Sequence, residues 1–511
     1  MNRYRDSAYF FGLEPEMKVD FAKLDRAFNA RVLAVIGDTQ KNLDFQWIRA
    51  HLPFTGKLYS VQISPDAIKG IKALGVENYT SLLDIPEAVD LAIVSVPRGA
   101  ALNILEDCIR KGISAAHFFT AGFTETGTEE GERLERELVL RAQQENFPLI
   151  GPNCMGIFNP KIGLKQTRAQ YSGVSGPVGL ISQSGTHAVN FSLEAQLQGL
   201  YLNKSISFGN GRVLDAVDFL EYFGADPGIK AVGMYLEGVR DGRKFFRILK
   251  EVADRKPVVI WKGGRTEEGG RAIASHTGSL AIPRAVWDSA IRQCGAIGVD
   301  RMEALIDTLK ALLFLPSIYG DRVGITGVSG GQSVAIADAF AEAGLKVPPP
   351  TRDSCDRLLN FYSLIGGGYL NPIDTGNANR KDLKRILEIL EQDPNMDNLV
   401  MLIGTRLMYI GPEGLQEQVD LLSELKERGT KPLIAITAYS TLAEAQIAIE
   451  ITLKLQERGI ISFPSLERAA RALRNVLDYY NSKRDKRSFG EHIMNSTRGG
   501  SMKNSAPLKA D

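Results

Sequence analysis

His276 stands in the run Arg271-Ala272-Ile273-Ala274-Ser275-His276-Thr277-Gly278-Ser279-Leu280, just after the glycine-rich stretch Gly263 to Gly270. The chain has only 5 histidines. A neutral imidazole on a loop of small residues can attack phosphorus and carry a phosphoryl group between sites. One loop histidine is a weak signal, and a surface histidine without a role satisfies the same spacing. Glu237, in Tyr235-Leu236-Glu237-Gly238-Val239, reads as a carboxylate at the end of a strand. There it could accept the second ring N–H of a histidine and steady charge building on the ring. A solvated loop glutamate is the plainer alternative.

Three further stretches carry candidate chemistry. Ser182-Gln183-Ser184-Gly185-Thr186 reads as strand, turn and helix start. Unpaired amides and the positive end of a helix dipole can hold a phosphate there, with Ser182, Ser184, Gly185 and Thr186 around it. An ordinary serine N-cap reads the same way. His187 beside that turn falls in the first helical turn, where protonation is disfavoured, so it is the weaker nucleophile candidate. Gly37-Asp38-Thr39-Gln40 follows the first strand, where dinucleotide folds place their phosphate loop. It is not GxGxxG, so a classical nicotinamide dehydrogenase is disfavoured. Asp38 suits a diphosphate poorly unless Thr39, Gln40 or Lys41 supplies donors. Cys154, in Gly151-Pro152-Asn153-Cys154-Met155-Gly156, lies either near a reactive thioester or in the core.

The elements that must position these residues alternate. Val32–Ile36, Ala92–Val96 and Ser114–Phe119 read as buried strands, Glu129–Glu145 as a helix, and Pro148–Ile150 begins another strand. Such alternation predicts a parallel sheet covered on both faces, with ligands at the carboxyl ends of its strands. The remainder contains an internal repeat. Val178–Thr186 echoes Val323–Gly331, Ala231–Leu236 echoes Leu399–Ile403, and Lys256–Ile260 echoes Lys431–Ala435. The expected organisation is α/β throughout. Residues 1–150 form one doubly wound domain, 151–316 and 317–481 two similar domains in tandem, and 482–511 a disordered basic tail. Pro316 to Gly320 is the expected junction. The second copy has Gly404-Thr405 where the first has Glu237, and no counterpart of His276, so these two features are candidates for chemistry and the shared ones for scaffold.

The 511 residues carry a formal net charge of +1, which gives no electrostatic reason to expect nucleic acid or an anionic membrane as partner. No segment reads as a signal peptide or a membrane span. The four cysteines are scattered without metal spacing, which suggests a reducing cytoplasm and no disulfide frame.

Taken together, Phe28–Gly37, Ser81–Pro86, Ala121-Gly122-Phe123, Gly151–Cys154, Ser182–Gly185, Leu236-Glu237-Gly238, Ala274–Gly278 and Asn371-Pro372-Ile373-Asp374 follow the order of one family. The chain resembles the α-subunit type of nucleoside-diphosphate-forming acyl-CoA synthetases, relatives of succinyl-CoA synthetase α, over roughly residues 24–480. The resemblance implies a Rossmann-like CoA-binding domain and two flavodoxin-like ligase domains. It implies the reaction acyl-CoA + phosphate + ADP ⇌ acid + CoA + ATP, through an acyl phosphate and a phosphohistidine. His276 would carry the phosphoryl group, Glu237 would steady it, and the turn at Ser182 to Thr186 would bind phosphate. Gly37, Thr39, Gln40, Lys41, Pro97, Thr120, Ala121, Gly122, Asn153 and Cys154 are the residues the resemblance puts forward for CoA binding. ATP or ADP and Mg²⁺ would sit on a separate ATP-grasp β-type subunit, in a hetero-oligomer. At Gly37–Asn42 the chain departs from the family's glycine-rich turn. A non-catalytic CoA-binding or assembly subunit, and a related acyl or carbamoyl transferase, are the competing readings.

Overall fold

The computed structural model describes the backbone of residues 18–277, 283–327, 330–362, 370–375, 380–403 and 407–499, and it divides into compact units at Leu309 and Lys310. Among the described residues the strands form three sheets. The first contains β1 (Val32–Ile36), β2 (Lys57–Val61), β3 (Glu77–Tyr79), β4 (Leu91–Val94), β5 (Ala115–Phe118) and β6 (Leu149–Ile150), all parallel. Their spatial order is 3-2-1-4-5-6, the doubly wound order of dinucleotide-binding folds. The inner strands β1, β4 and β5 are buried along nearly their whole length, as the parallel pattern requires, while the edge strand β3, Glu77–Tyr79, is polar and partly exposed.

The second sheet contains β7 (Gly156–Phe158), β8 (Val178–Ser182), β9 (Leu202–Ser207), β10 (Ala231–Leu236), β11 (Val258–Lys262) and β12 (Ile297–Val299). The order is β12-β11-β10-β8-β9-β7. Without β7 this is the flavodoxin order 2-1-3-4-5 read from its far edge. β7 lies antiparallel on β9 and closes that edge.

The third sheet holds β13 (Val323–Thr326), β14 (Asn398–Leu402), β15 (Leu433–Ile436) and β16 (Ile461–Phe463), in that order and parallel. A one-residue parallel bridge from Arg322 to Lys346 stands where a flavodoxin second strand would run. Asn371 fills part of that edge, its side chain accepting from the amide of Ile325 at 2.8 Å and donating to the carbonyl of Val323 at 2.6 Å. Gly404 and Thr405, the expected counterparts of Glu237, lie outside the described residues.

Two expectations change. The unit boundary falls inside the helix Met302–Phe314, ahead of the Pro/Gly junction at Pro316 to Gly320. The helix beginning at Leu466 continues to Gly499, so the stretch from Ser482 is not an unstructured tail as far as it is described. Its lysines and arginines are good helix formers, and no proline interrupts the run. Among the described residues no helix is long and apolar enough to cross a membrane.

The first unit is held by aromatic packing. Phe28, fully buried on the helix Phe21–Phe28, lies 5.0 Å from Tyr222 and 5.6 Å from Phe223 of the helix Ala216–Ala225. Trp47 packs edge-on against His117 and Phe119, both at 5.1 Å. Two of the five histidines are consumed by this core. His51 bonds the Trp47 carbonyl through Nδ1 at 2.7 Å and accepts the Lys165 amide on Nε2 at 3.2 Å. His117 Nε2 lies 2.9 Å from the Cys154 carbonyl. Burial pushes both imidazoles down to about 4. Their folded-state values lie below the ordinary histidine value, so the unfolded chain binds more protons between about pH 4 and pH 6.5. Stability should therefore fall as pH drops through that window. Urea midpoints at about pH 7 and about pH 5 should show it, and His117→Gln should flatten part of the slope.

Candidate active site

The carboxyl edge of the second sheet gathers three predicted elements. Glu237 follows β10 directly and is buried. Ser182 ends the neighbouring strand β8, and the helix Gly185–Leu197 begins three residues later. The two strand ends are joined by Gln183. Its side-chain oxygen accepts from the amides of Glu237 at 2.9 Å and Gly238 at 3.2 Å, while its own amide donates to the Tyr235 carbonyl at 3.0 Å. The register pairs Tyr235 with Ser182, so this bridge continues the ladder after the strands end.

The turn at Ser182 to Thr186 is locally self-supporting. Ser182 Oγ donates to the Ser184 carbonyl at 2.6 Å and accepts the Ser184 amide at 3.2 Å. Ser184 is the N-cap, its hydroxyl accepting from the amide of His187 at 3.3 Å. Both readings of the serines thus meet in one turn. The hydroxyls shape the cap, and the amides of Gly185 and Thr186 stand at the first two helical positions, where a helix has no internal acceptor for them. A Cβ on Gly185 would come within 2.5 Å of the Met155 side chain, so only glycine lets the turn seat there.

Glu237 has neighbours that motif reading missed. The Tyr235 hydroxyl donates to its Oε1 at 3.3 Å. Tyr235 is two residues back on the same strand and therefore on the same face, a signal that period-two reading could have caught. Lys262, buried at the end of β11, donates to the carbonyls of Glu237 at 2.7 Å and Gly263 at 2.6 Å. Burial pushes its amine below the ordinary lysine value, and the Glu237 charge opposes that shift. His187 is packed between Tyr235 at 4.4 Å and Trp261 at 4.6 Å. Burial lowers its pKa against the pull of Glu237, which keeps it a neutral aromatic neighbour.

His276 belongs to a helix rather than to a loop. The helix Glu267–Thr277 carries it in the final turn, and the backbone of Gly278 onward to 282 lies outside the described residues, as does the His276 side chain. The glycine pairs suggested a loop, but other forces favour helix. Thr266 Oγ1 accepts the Gly269 amide at 3.1 Å, two glutamates occupy the first turn, Arg271 pairs with Glu267 at 2.9 Å, and Ile273 is buried. Gly264, at φ +64°, makes the turn into it, where a Cβ would strike Ile273. The helix packs against the short turn Thr124–Thr126 of the first domain.

Some of the predicted CoA-side residues, Gly37, Thr120 and Asn153, are linked by contacts through Ser95 and Val96. Gly37, at φ +82°, sits so close to Ser95 and Val96 that a Cβ would lie 2.7 Å from the Ser95 carbonyl oxygen. Pro97 leads into the turn Arg98–Ala100. The Thr120 hydroxyl donates to the Val96 carbonyl at 2.9 Å, and the Thr120 carbonyl accepts the Asn153 amide at 3.0 Å. Ala121 is exposed, and the Gly122 amide donates to Glu125 at 2.6 Å. Glu125 in turn accepts from Asn210 at 2.7 Å, which ties this edge to the loop after β9. Gln40 and Lys41 are exposed, and the Thr39 amide donates to the Asp38 carboxylate at 3.1 Å. Cys154 is different. Its thiol is buried, lies 3.7 Å from the Phe118 carbonyl and 3.6 Å from that of Ile150, and is pushed well up by burial. It packs as a core residue.

Comparison with known proteins identifies the domains. Residues 46–160 match the CoA binding domain family, and residues 175–312 match the succinyl-CoA ligase like flavodoxin domain. The α subunit of ADP-forming acetate–CoA ligase I from Pyrococcus furiosus is 33% identical over 88% of this chain and 96% of its own length. The chain belongs to the ADP-forming acyl-CoA ligase family, as an α-type chain. ADP-forming acetate–CoA ligase I from Archaeoglobus fulgidus is 35% identical over 90% of this chain and 64% of its own, longer chain. The dinucleotide-forming acetyl-coenzyme A synthetase 1 of Ca. Korarchaeum cryptofilum, solved with phosphate and ADP, superposes with a TM-score of 0.75 at 30% identity, covering 90% of this chain and 97% of that one.

In this ligase the Gln183 bridge is open to a direct test. Gln183→Ala strands two amides at a sheet edge, which should cost about 1–3 kcal/mol, read from the urea midpoint of the full chain.

Proposed function

We propose that this chain is the α-type half of a ligase that interconverts acyl-CoA, phosphate and ADP with a carboxylic acid, CoA and ATP, with phosphate bound at the Ser182–Thr186 turn. A phosphate oxygen attacks the thioester carbonyl. The carbon–sulfur bond breaks, the thiolate takes a proton, and an acyl phosphate forms. A ring nitrogen of His276 then attacks phosphorus, the bond to the acyl oxygen breaks, and the acid leaves. The β-phosphate of ADP attacks the phosphohistidine, the phosphorus–nitrogen bond breaks, and ATP forms. Glu237 accepts the other ring N–H of His276 and offsets the positive charge on the ring.

One observation carries the reading. Gln183 holds the Glu237 loop against the Ser182–Thr186 turn, so a carboxylate and a helix start with open amides share one strand edge. The helix amides give a phosphate an acceptor-free cradle. The carboxylate would repel phosphate while attracting an imidazolium, so it suits the carrier rather than the cargo. Lys262 adds a cation behind the Glu237 carbonyl.

The nucleotide and Mg²⁺ are assigned to an ATP-grasp β-type partner. The Pyrococcus furiosus relative is named as a subunit, and the longer Archaeoglobus fulgidus relative leaves about a third of its length unmatched by this chain, room for such a module. Acetate is the acid named for both relatives, and a small carboxylic acid is the substrate proposed here. The cytoplasm is the proposed compartment, since free thiols are stable there.

Mixed with an ATP-grasp partner and γ-labelled ATP, the chain should take up acid-labile label. His276→Asn should abolish it, and Glu237→Gln should slow labelling by at least about 100-fold. Full labelling of the His276→Asn chain would sink the assignment.

A further inference from the structure

In a sheet of order 3-2-1-4-5-6, the diphosphate of a dinucleotide-like ligand lies where the first strand runs into the next helix, on amides that a glycine-rich turn leaves open. In this chain that place is filled from within. Asp38 follows β1 directly and is fully buried. Its Oδ1 accepts from the Thr39 amide at 3.1 Å and from Asn42 Nδ2 at 2.9 Å. Its Oδ2 accepts from the amides of Trp47 at 2.9 Å and Ile48 at 3.0 Å, in the first turn of the helix Gln46–Ala50. All four partners are donors and favour the ionised carboxylate, while burial, the larger influence, pushes its pKa above the usual carboxylate range.

The residue at the end of the second strand is spent as well. Gln62 is buried, donates to the Asp38 carbonyl at 3.1 Å, and accepts the amides of Ile63 at 2.8 Å and Ser64 at 3.1 Å. The turn that closes over Asp38 is backbone that non-glycine residues rarely adopt. Leu43, Asp44 and Phe45 have φ of 45°, 55° and 59° in succession. Such a turn persists only where its surroundings over-determine it, and the Asp38 bonds do so. The match to the CoA binding domain begins at residue 46, beyond β1 and this loop.

We infer that this chain recognises its thiol substrate by the pantetheine arm alone, because the Asp38 carboxylate occupies the anion position that the CoA diphosphate would need. The inference rests on the ligase reading above and narrows its substrate class to pantetheine thiols and their thioesters. A diphosphate approaching the same amides would meet a buried negative charge instead of open donors. The nucleotide half of CoA then adds little to binding. The thiol end is left to the strand edge where Gly37, Val96, Thr120 and Asn153 meet.

The test compares CoA with pantetheine as thiol in thioester synthesis by the full chain and its nucleotide-binding partner. kcat/KM values within about tenfold of each other are expected. A gripped diphosphate contributes several charge-assisted hydrogen bonds, so a preference for CoA beyond about tenfold overturns the inference. Asp38→Asn, which removes the charge and keeps an acceptor, should raise the CoA-to-pantetheine ratio, and an unchanged ratio counts against the inference. If that variant does not fold, the unaltered chain still decides. A chain that uses neither thiol fails as a ligase, an outcome distinct from a chain that uses CoA alone.

Discussion

The side chain of Gln183 accepts from two consecutive amides across the end of the second sheet. A parallel sheet leaves its strand-end amides without ladder partners, and when they are buried they must find an acceptor elsewhere. Gln183 meets that need and in doing so sets the spacing between the Ser182–Thr186 turn and Glu237. Tyr235 then reaches the Glu237 carboxylate, and Lys262 its carbonyl, because β10 is held in register between β8 and β11. The geometry of the site follows from this one bridge.

The same requirement is met differently in the first domain. There the amides after β1 are satisfied by Asp38, a charged group of the chain itself. One sheet edge thus keeps its helix start open, with serines that only shape the cap, while the other closes its helix start with a carboxylate. Two sheets built by the same strand–helix alternation therefore offer opposite environments to an anion. This contrast underlies both the proposal that phosphate binds in the second domain and the inference that the first does not grip a diphosphate.

The chain of contacts from Gly37 through Val96, Thr120 and Asn153 links these two edges. Asn210 and Glu125 continue it across to the loop after β9. Met155 reaches the turn itself, packing where Gly185 has no side chain. Aromatic packing of Phe28 and Trp47 holds the surrounding helices, so the polar contacts at the edge work on a rigid support.

Much of this was legible in the sequence. The apolar runs at Val32, Ala231 and Val323 mark parallel strands because both faces of such a strand are buried, and the Ser-Gly turn after Ser182 marks a helix start because caps demand those residue types. The internal repeat and the α/β class follow from the same local rules. Tertiary structure decided what those rules leave open. The Gly269-Gly270 pair reads as a loop, yet burial of Ile273 and the first-turn glutamates draw it into a helix that carries His276. Cys154 reads equally as ligand or core, and only the fold turns its thiol toward Phe118 and Ile150. Asp38 is one acidic residue in a loop until the turn folds four donors from the following residues, Thr39, Asn42, Trp47 and Ile48, onto it. Neither the turn conformation that folds these donors onto Asp38 nor the Gln183 bridge to Glu237, 54 residues away, is visible to periodicity and propensity, and both shape the polar groups at each sheet edge.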